Sequence, residues 1–318
     1  MWNNEFIFLT LLVLVGNVQC DEEIICSINN KTAVIKRFNH SLPLGFYEEE
    51  VEHCLIANLT STLEQVTTLP ENHSIKSFEV YLVKNFERWS LRNKYFHLPE
   101  NISSIFPELI QYKVKYSKVR DIIKNNFQGL TKLEVLELEN NKIVGIRRGV
   151  FGGLTSLIVL NLAGNEMEYI QKEAFVGLDK LEVLDLNTNS FLKISRTVFK
   201  GLTSLETLDL STNSIETIDE KAFEDLKKLK TLKLGFNSLN DLKRGVFDNL
   251  ISLVQLNLEQ NYIKYIEEDT FASLLNLRTA TFVHVRRSEN CISKNFEGVE
   301  AMQELNSLVK TNCSGWWP

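Results

Sequence analysis

The sequence predicts an α/β solenoid, a stack of short coils with a parallel β-sheet lining a concave face. Three observations predict it. Leucines recur at 133, 157, 181, 205, 229, 253 and 277, a spacing of 24 each time. Asparagines at 141, 165, 189, 213, 237 and 261 and phenylalanines at 127, 151, 175, 199, 223, 247 and 271 keep the same period. Within each copy apolar and polar residues alternate, so that Leu208 and Leu210 face one way while Thr207, Asp209 and Ser211 face the other. An unbroken internal period of this length means a solenoid, because one such coil cannot bury its apolar side alone and stacking makes the core continuous.

Each element follows in chain order within the copy at Leu205. The alternating run is a short strand, and strands stacked in one direction make a parallel sheet spaced by about 4.8 Å. Asn213 sits where the chain turns off the strand into the interior. A buried amide needs partners, and asparagine offers both donors and an acceptor to the backbone of neighbouring coils. Its predicted role is structural. Phe223 and its counterparts form the back wall, and Gly129, Gly153, Gly177 and Gly201 permit a tight turn before the next leucine. The copy at Leu109 is worn, with Tyr112 and Val114 at apolar sites and Ser117 at the asparagine position. The copy at Leu277 keeps Ala280 and Phe282 but has Val285 in place of asparagine, and a fainter strand begins around Ile75, Phe78 and Val80.

The chain's ends differ from its middle. Phe6 to Val15 is an apolar run too short to span a bilayer, followed by Val18-Gln19-Cys20, and reads as a secretory leader over residues 1–20. Removing it leaves Cys26 and Cys54 before the repeats and Cys291 and Cys313 after them. An even number in a secreted chain implies disulfides. Bonds across the solenoid would require its two ends to meet, so the expected pairs are Cys26–Cys54 and Cys291–Cys313, each contributing about 3 kcal/mol in the chain-entropy account. N-x-S/T sequons at Asn30, Asn39, Asn58, Asn72 and Asn101 predict a glycosylated N-terminal flank. Asn312 also fits, but its middle residue is the bridged Cys313. Phe296, Val299, Met302, Leu305 and Leu308 recur at helical spacing behind Ser293 as N-cap, predicting an amphipathic helix that closes the last coil.

Composition narrows function. The 318 residues are 44% hydrophobic and 24% charged, enough for one elongated folded domain, with a formal net charge of −6. Mild acidity without a basic block argues against nucleic acid or an anionic membrane as partner. The histidines are scattered and no close cysteine pair exists, so neither a metal nor another cofactor is expected. Asp185 and Asp209 fall at matching positions on adjacent strands, about 5 Å apart. Such a pair could do acid–base work, but no nucleophile–base pattern or pocket-forming motif accompanies it, and the chain reads as a non-enzyme. What remains is a surface about 34 Å long, the size of a protein footprint. Interface energy concentrates near the centre of a patch. The predicted contact set is therefore Val183, Asp185, Asn187, Thr207, Asp209, Ser211, Thr231 and Lys233.

The pattern of Leu205, Leu208, Leu210, Asn213, Ile215, Ile218, Phe223 and Leu226 resembles the 24-residue class of extracellular leucine-rich repeats. The resemblance implies a horseshoe with a concave parallel β-sheet, an irregular or 3-10 convex side and disulfide-bearing caps. On it the chain divides into the leader, an N-terminal cap with a degenerate first repeat over 21–108, repeats over 109–290 and a C-terminal cap over 291–318. It also implies a secreted recognition protein that binds an extracellular protein or glycan, in innate immunity or cell-surface signalling. Similarity extends to short secreted leucine-rich immune proteins of insects, several of which carry a C-terminal coiled coil that is not expected here, since the sequence stops at Trp316-Trp317-Pro318. An extracellular matrix or adhesion component like the small leucine-rich proteoglycans is the alternative, with Ser314-Gly315 as the hint of a glycosaminoglycan attachment site. Neither a membrane span nor a particular oligomeric state is predicted.

Overall fold

A computed structural model describes residues 98–282 except 99 and 105, residues 292, 295–298 and 301–313, and the backbone of 8–13, 21–28, 31–39 and 77–82. The predicted solenoid is present. Gln111–Lys115, Val135–Glu137, Val159–Asn161, Val183–Asp185, Thr207–Asp209, Thr231–Lys233, Gln255–Asn257 and Thr279–Thr281 lie side by side in parallel. Their register matches the sequence period, with Val183 beside Thr207, Leu184 beside Leu208 and Asp185 beside Asp209. The sheet continues before the first clear repeat: Ser77–Leu82 pairs parallel with Gln111–Lys115, putting Phe78 beside Tyr112. Phe8–Val13, inside the segment read as a leader, pairs in turn with Ser77–Leu82. Asp21–Ile28, which contains Cys26, forms an antiparallel hairpin with Lys31–Asn39.

The leucines build one continuous interior. Leu133, Leu157, Leu181, Leu205, Leu229 and Leu253 have no exposed surface. Behind them the phenylalanines form a file from Phe127 to Phe271. Neighbouring rings from Phe151 onward lie nearly parallel with centroids 5.7 to 6.4 Å apart, within the range of favourable offset aromatic pairs. Turns and two-residue parallel strands make up the convex side, pairing two by two as in Lys193–Ile194 with Thr217–Ile218 and Asp241–Leu242 with Tyr265–Ile266.

Two backbone features repeat that the residue pattern did not announce. The residue before each ladder asparagine takes a left-handed backbone: Thr188, Thr212, Phe236 and Gln260 have φ between 54° and 57°. Glu173, Thr197, Lys221 and Asp269 do the same on the convex side. Left-handed backbone is costly for branched side chains, so the stacked coils on either side must hold these residues there. Of the four glycines expected to make a tight turn, Gly129, Gly177 and Gly201 have positive φ and Gly153 does not.

The C-terminal end departs from expectation. Phe296 is not part of the helix: Phe296–Glu297 forms a strand antiparallel to Thr279–Thr281, and the helix begins at Ala301 and runs to Leu308, followed by a π-turn over Val309–Cys313. The strand wins because the last coil has an open edge whose backbone groups need partners. Phe282 and Phe296 meet edge to face at 5.9 Å and Leu305 is fully buried, so the segment still closes the core as predicted. Ser293 and Cys291 lie outside the described residues, as does Cys54.

Candidate functional site

The asparagine ladder settles which polar residues are structural. Asn213 Nδ2 donates to the carbonyls of Leu210 and Ser211 in its own coil and of Leu186 in the preceding one, at 3.1 to 3.2 Å. Its Oδ1 accepts the Phe191 N–H at 3.2 Å. Asn237 and Asn261 repeat the arrangement. At the worn first copy Ser117 keeps only a short-range bond to the Lys115 carbonyl, and Asn141 Oδ1 reaches across to its N–H.

The predicted contact residues come together on the outward side of the central strands. Val183, Asp185, Asn187, Thr207, Asp209, Ser211 and Thr231 are half-buried and Lys233 is exposed. Several also support the backbone, which the sequence did not reveal. Asp209 Oδ1 accepts the Ser211 N–H at 2.9 Å and Asp185 Oδ1 accepts the Asn187 N–H at 3.0 Å. Asn161 and Asn257 occupy the same column and accept the N–H two residues on in the same way. The column thus ends each strand with a side-chain turn, the local bonding at which Asn and Asp excel.

Charge along the face is largely compensated from within. At the N-terminal end Lys115 lies 2.5 Å from Glu137 and 3.3 Å from Glu139, and Lys113 lies 3.6 Å from Glu137. Burial works against the Lys115 charge, but the hydrogen bonds and charges of Glu137 and Glu139 outweigh it and raise its pKa. In the centre Lys233 reaches back to Asp209 Oδ2 at 3.0 Å. Asp185 differs. Both of its contacts, from the Asn187 N–H and side-chain amide, fall on Oδ1, and among the described residues it forms no ion pair. Burial pushes its pKa up; the bonds from Asn187 and the charge on Lys233 oppose this, and the Asp209 charge adds to it. Asp185 is therefore a half-buried carboxylate with one oxygen available at the middle of the sheet.

Phe236 stands outside the predicted contact set. It follows Lys233 by three residues, 52% exposed, on one of the left-handed backbone positions. The signal was legible, since the corresponding position holds Thr188, Thr212 and Gln260 in neighbouring copies. Exposed aromatics are enriched in protein contact surfaces.

Other candidates stand elsewhere. Asn101 is exposed and its N–H bonds the Asn125 carbonyl. Asn39 and Cys26 fall within described backbone, whereas Asn30, Asn58 and Asn72 lie outside the described residues. A groove of about 440 Å³ on the convex side is lined by Lys193, Arg196, Asp219, Asp241 and Lys243, where Thr217–Ile218 and Asp241–Leu242 do not pair. Among the described residues no group of acids, histidines and cysteines could hold a metal ion, and no helix is long and apolar enough to cross a membrane.

Comparison with known proteins agrees with this architecture. A chain of a TLR13–ssRNA13 complex matches with 24% identity and a TM-score of 0.50, over 59% of this chain and 30% of that one. Two structures of the Drosophila Toll–Spatzle complex, a hub in development and innate immunity, match at 20% and 19% identity with TM-scores of 0.39 and 0.40. They cover 65% and 72% of this chain and 33% and 35% of theirs, so this chain spans about a third of each of these relatives. At 24% identity the first of these is a likeness of fold. No curated protein sequence matches. The leucine rich repeat family model matches residues 113–167, 131–191, 179–239 and 227–279, which together exceed half the chain. The protein belongs to the leucine-rich repeat family.

Proposed function

We propose that this is a secreted recognition protein that binds a protein partner on the centre of its concave sheet, in innate immunity or cell-surface signalling. The observation that carries the reading is Asp185. A half-buried carboxylate without an ion pair is unfavourable in the free protein, and a lysine or arginine from a partner supplies the contact it lacks. Asp209 contributes less, because Lys233 already neutralises it. Phe236 provides an apolar anchor at the rim, and Thr207, Ser211 and Thr231 add hydroxyls on the flat sheet between. The surface is broad and open, which suits a protein better than a small molecule and recognition better than catalysis.

The leader-like N-terminus, the sequons and the terminal cysteines support secretion, glycosylation and the Cys26–Cys54 and Cys291–Cys313 bridges. On this reading Phe8–Val13 leaves with the leader, and Ser77–Leu82 becomes the edge of the sheet.

One experiment addresses both points. Tagged protein is recovered from the medium of expressing cells, mapped by non-reducing peptide mass spectrometry and used as bait in native extracellular fluid. Asp185→Asn combined with Phe236→Gly should lose the partner that the wild type captures, whereas the convex Lys221→Glu should keep it. Asparagine preserves the acceptor for Asn187, and glycine relieves the left-handed backbone at 236, so neither change threatens the fold. Retention by the concave variant with loss by Lys221→Glu would place binding on the other side. Free thiols at all four terminal cysteines in the recovered protein would refute the bridges.

A further inference from the structure

The stacking converts scattered cations into a line. Lys124, Arg148, Lys172 and Arg196 each stand three residues before a ladder phenylalanine and are all exposed on the convex side. The rings behind them, from Phe127 to Phe199, step by 5.6, 6.1 and 6.2 Å, so the four charges follow one another at about one per coil. Arg147 and Lys200 flank the line. Two acids lie along it. Glu173 is already shared by Lys200 at 2.9 Å and Arg148 at 2.8 Å, which hold its pKa down. Asp219 accepts the Arg196 N–H at 3.2 Å and pairs with Lys193 at 2.7 Å. Arg196 has a distant partner in Glu224 at 3.8 Å, while Lys124, Arg147 and Lys172 have no ion pair among the described residues. Past Arg196 the same column reads Glu220, Arg244 and Glu268, so the basic line belongs to the first four coils alone. A chain with a net charge of −6 nonetheless places an exposed cation at the same position of four consecutive coils.

We infer that the line Lys124–Arg148–Lys172–Arg196 is a binding site for a linear sulfated polysaccharide. Regularly spaced, exposed cations match a polymer with anionic groups at regular intervals, and their strength is additive charge rather than shaped contact. A single-stranded nucleic acid is disfavoured because successive bases need successive aromatic faces, and among the described residues Tyr169 is the one exposed aromatic on the convex side of the coils that carry the strip. The strip faces away from Asp185, so the two surfaces can be occupied together, and the inference does not depend on what the concave sheet binds.

The test is chromatography of the intact secreted protein on heparin resin, with heparan sulfate and a length-matched single-stranded DNA as competitors. Wild type should be retained at physiological salt. Replacing all four residues by glutamine should weaken binding by about tenfold or more, the summed effect of four exposed charge contacts. A control with the scattered exposed residues Lys132, Lys227, Lys264 and Lys310 changed to glutamine alters net charge equally without removing any cluster and should elute close to wild type. Should the fourfold variant fail to fold, Lys172→Gln and Arg147→Gln, each removing one unpaired exposed cation, should each shift elution to lower salt. Flow-through of the wild type, equal shifts for strip and control variants, or displacement by DNA as readily as by heparan sulfate would each overturn the assignment.

Discussion

At the scale of single residues, the chain uses asparagine and aspartate in two different ways. Asn213 spans two coils, with its amide donating to Leu186 and its oxygen accepting from Phe191. Alanine there leaves the Phe191 N–H without its acceptor, while the Leu186, Leu210 and Ser211 carbonyls keep bonds from Asn189, Asn237 and the Thr188 N–H. Asn213→Ala should cost about 1–2 kcal/mol, since one unsatisfied buried N–H costs about 1–3 kcal/mol and this site is only half-buried. Denaturant unfolding measures this, and an unchanged midpoint would show that the ladder is dispensable. Asp185 behaves in the opposite sense. Its folded-state pKa lies above the ordinary aspartate value of 3.8, so the folded state holds its proton more tightly than the unfolded chain. Above the folded pKa the ionised carboxylate therefore carries a stability penalty, which shrinks as pH falls and is gone below the unfolded value. Asp185→Asn should raise the melting temperature at neutral pH, and the gain should fade on acidification through the carboxylate range. A variant less stable than wild type at pH 7, or a gain that persists unchanged at acid pH, would contradict this. The same substitution is predicted to weaken partner binding, so this position exchanges stability for recognition.

At the scale of elements, what the sequence reveals depends on whether a feature repeats along one face or is created by stacking. The strands were legible because Leu208 and Leu210 alternate with polar neighbours, and the asparagines because they keep the 24-residue period. Asp185 and Asp209 could be placed side by side from register alone, and they are. What could not be read was their use of the N–H two residues on, because Lys233 and Glu137 occupy the same column without needing that bond. The convex line of cations keeps the same 24-residue period and was legible by register in the same way, but it alternates lysine with arginine and so shows no single-letter repeat. At the C-terminal end, Phe296 fitted a helical spacing with Leu305 and Leu308, but the unpaired edge of Thr279–Thr281 recruited it as a strand instead. Periodicity within a segment competes with the needs of the element beside it, and an open sheet edge is the stronger claim.

At the scale of the whole molecule, each described repeat coil packs on its neighbours and on little else, so stability should behave as a sum of coil and interface terms. The phenylalanine file makes this testable. Phe199 is 1% exposed, with Phe175 at 6.2 Å on one side and Phe223 at 5.9 Å on the other. Phe282 lies at the end of the file, turned edge-on to Phe271. Phe199→Ala leaves a cavity between two interfaces in the middle of the stack and should cost about 3–5 kcal/mol. It should also split the array, broadening the urea transition and lowering its apparent m-value, because the two halves no longer unfold as one unit. Phe282→Ala weakens only the closing end. It should lower the midpoint and raise amide exchange around Thr279–Thr281 while leaving exchange in the central strands unchanged. Identical, sharp transitions for both variants would mean that the coils behave as one indivisible core, and that the nearest-neighbour description of this solenoid is wrong.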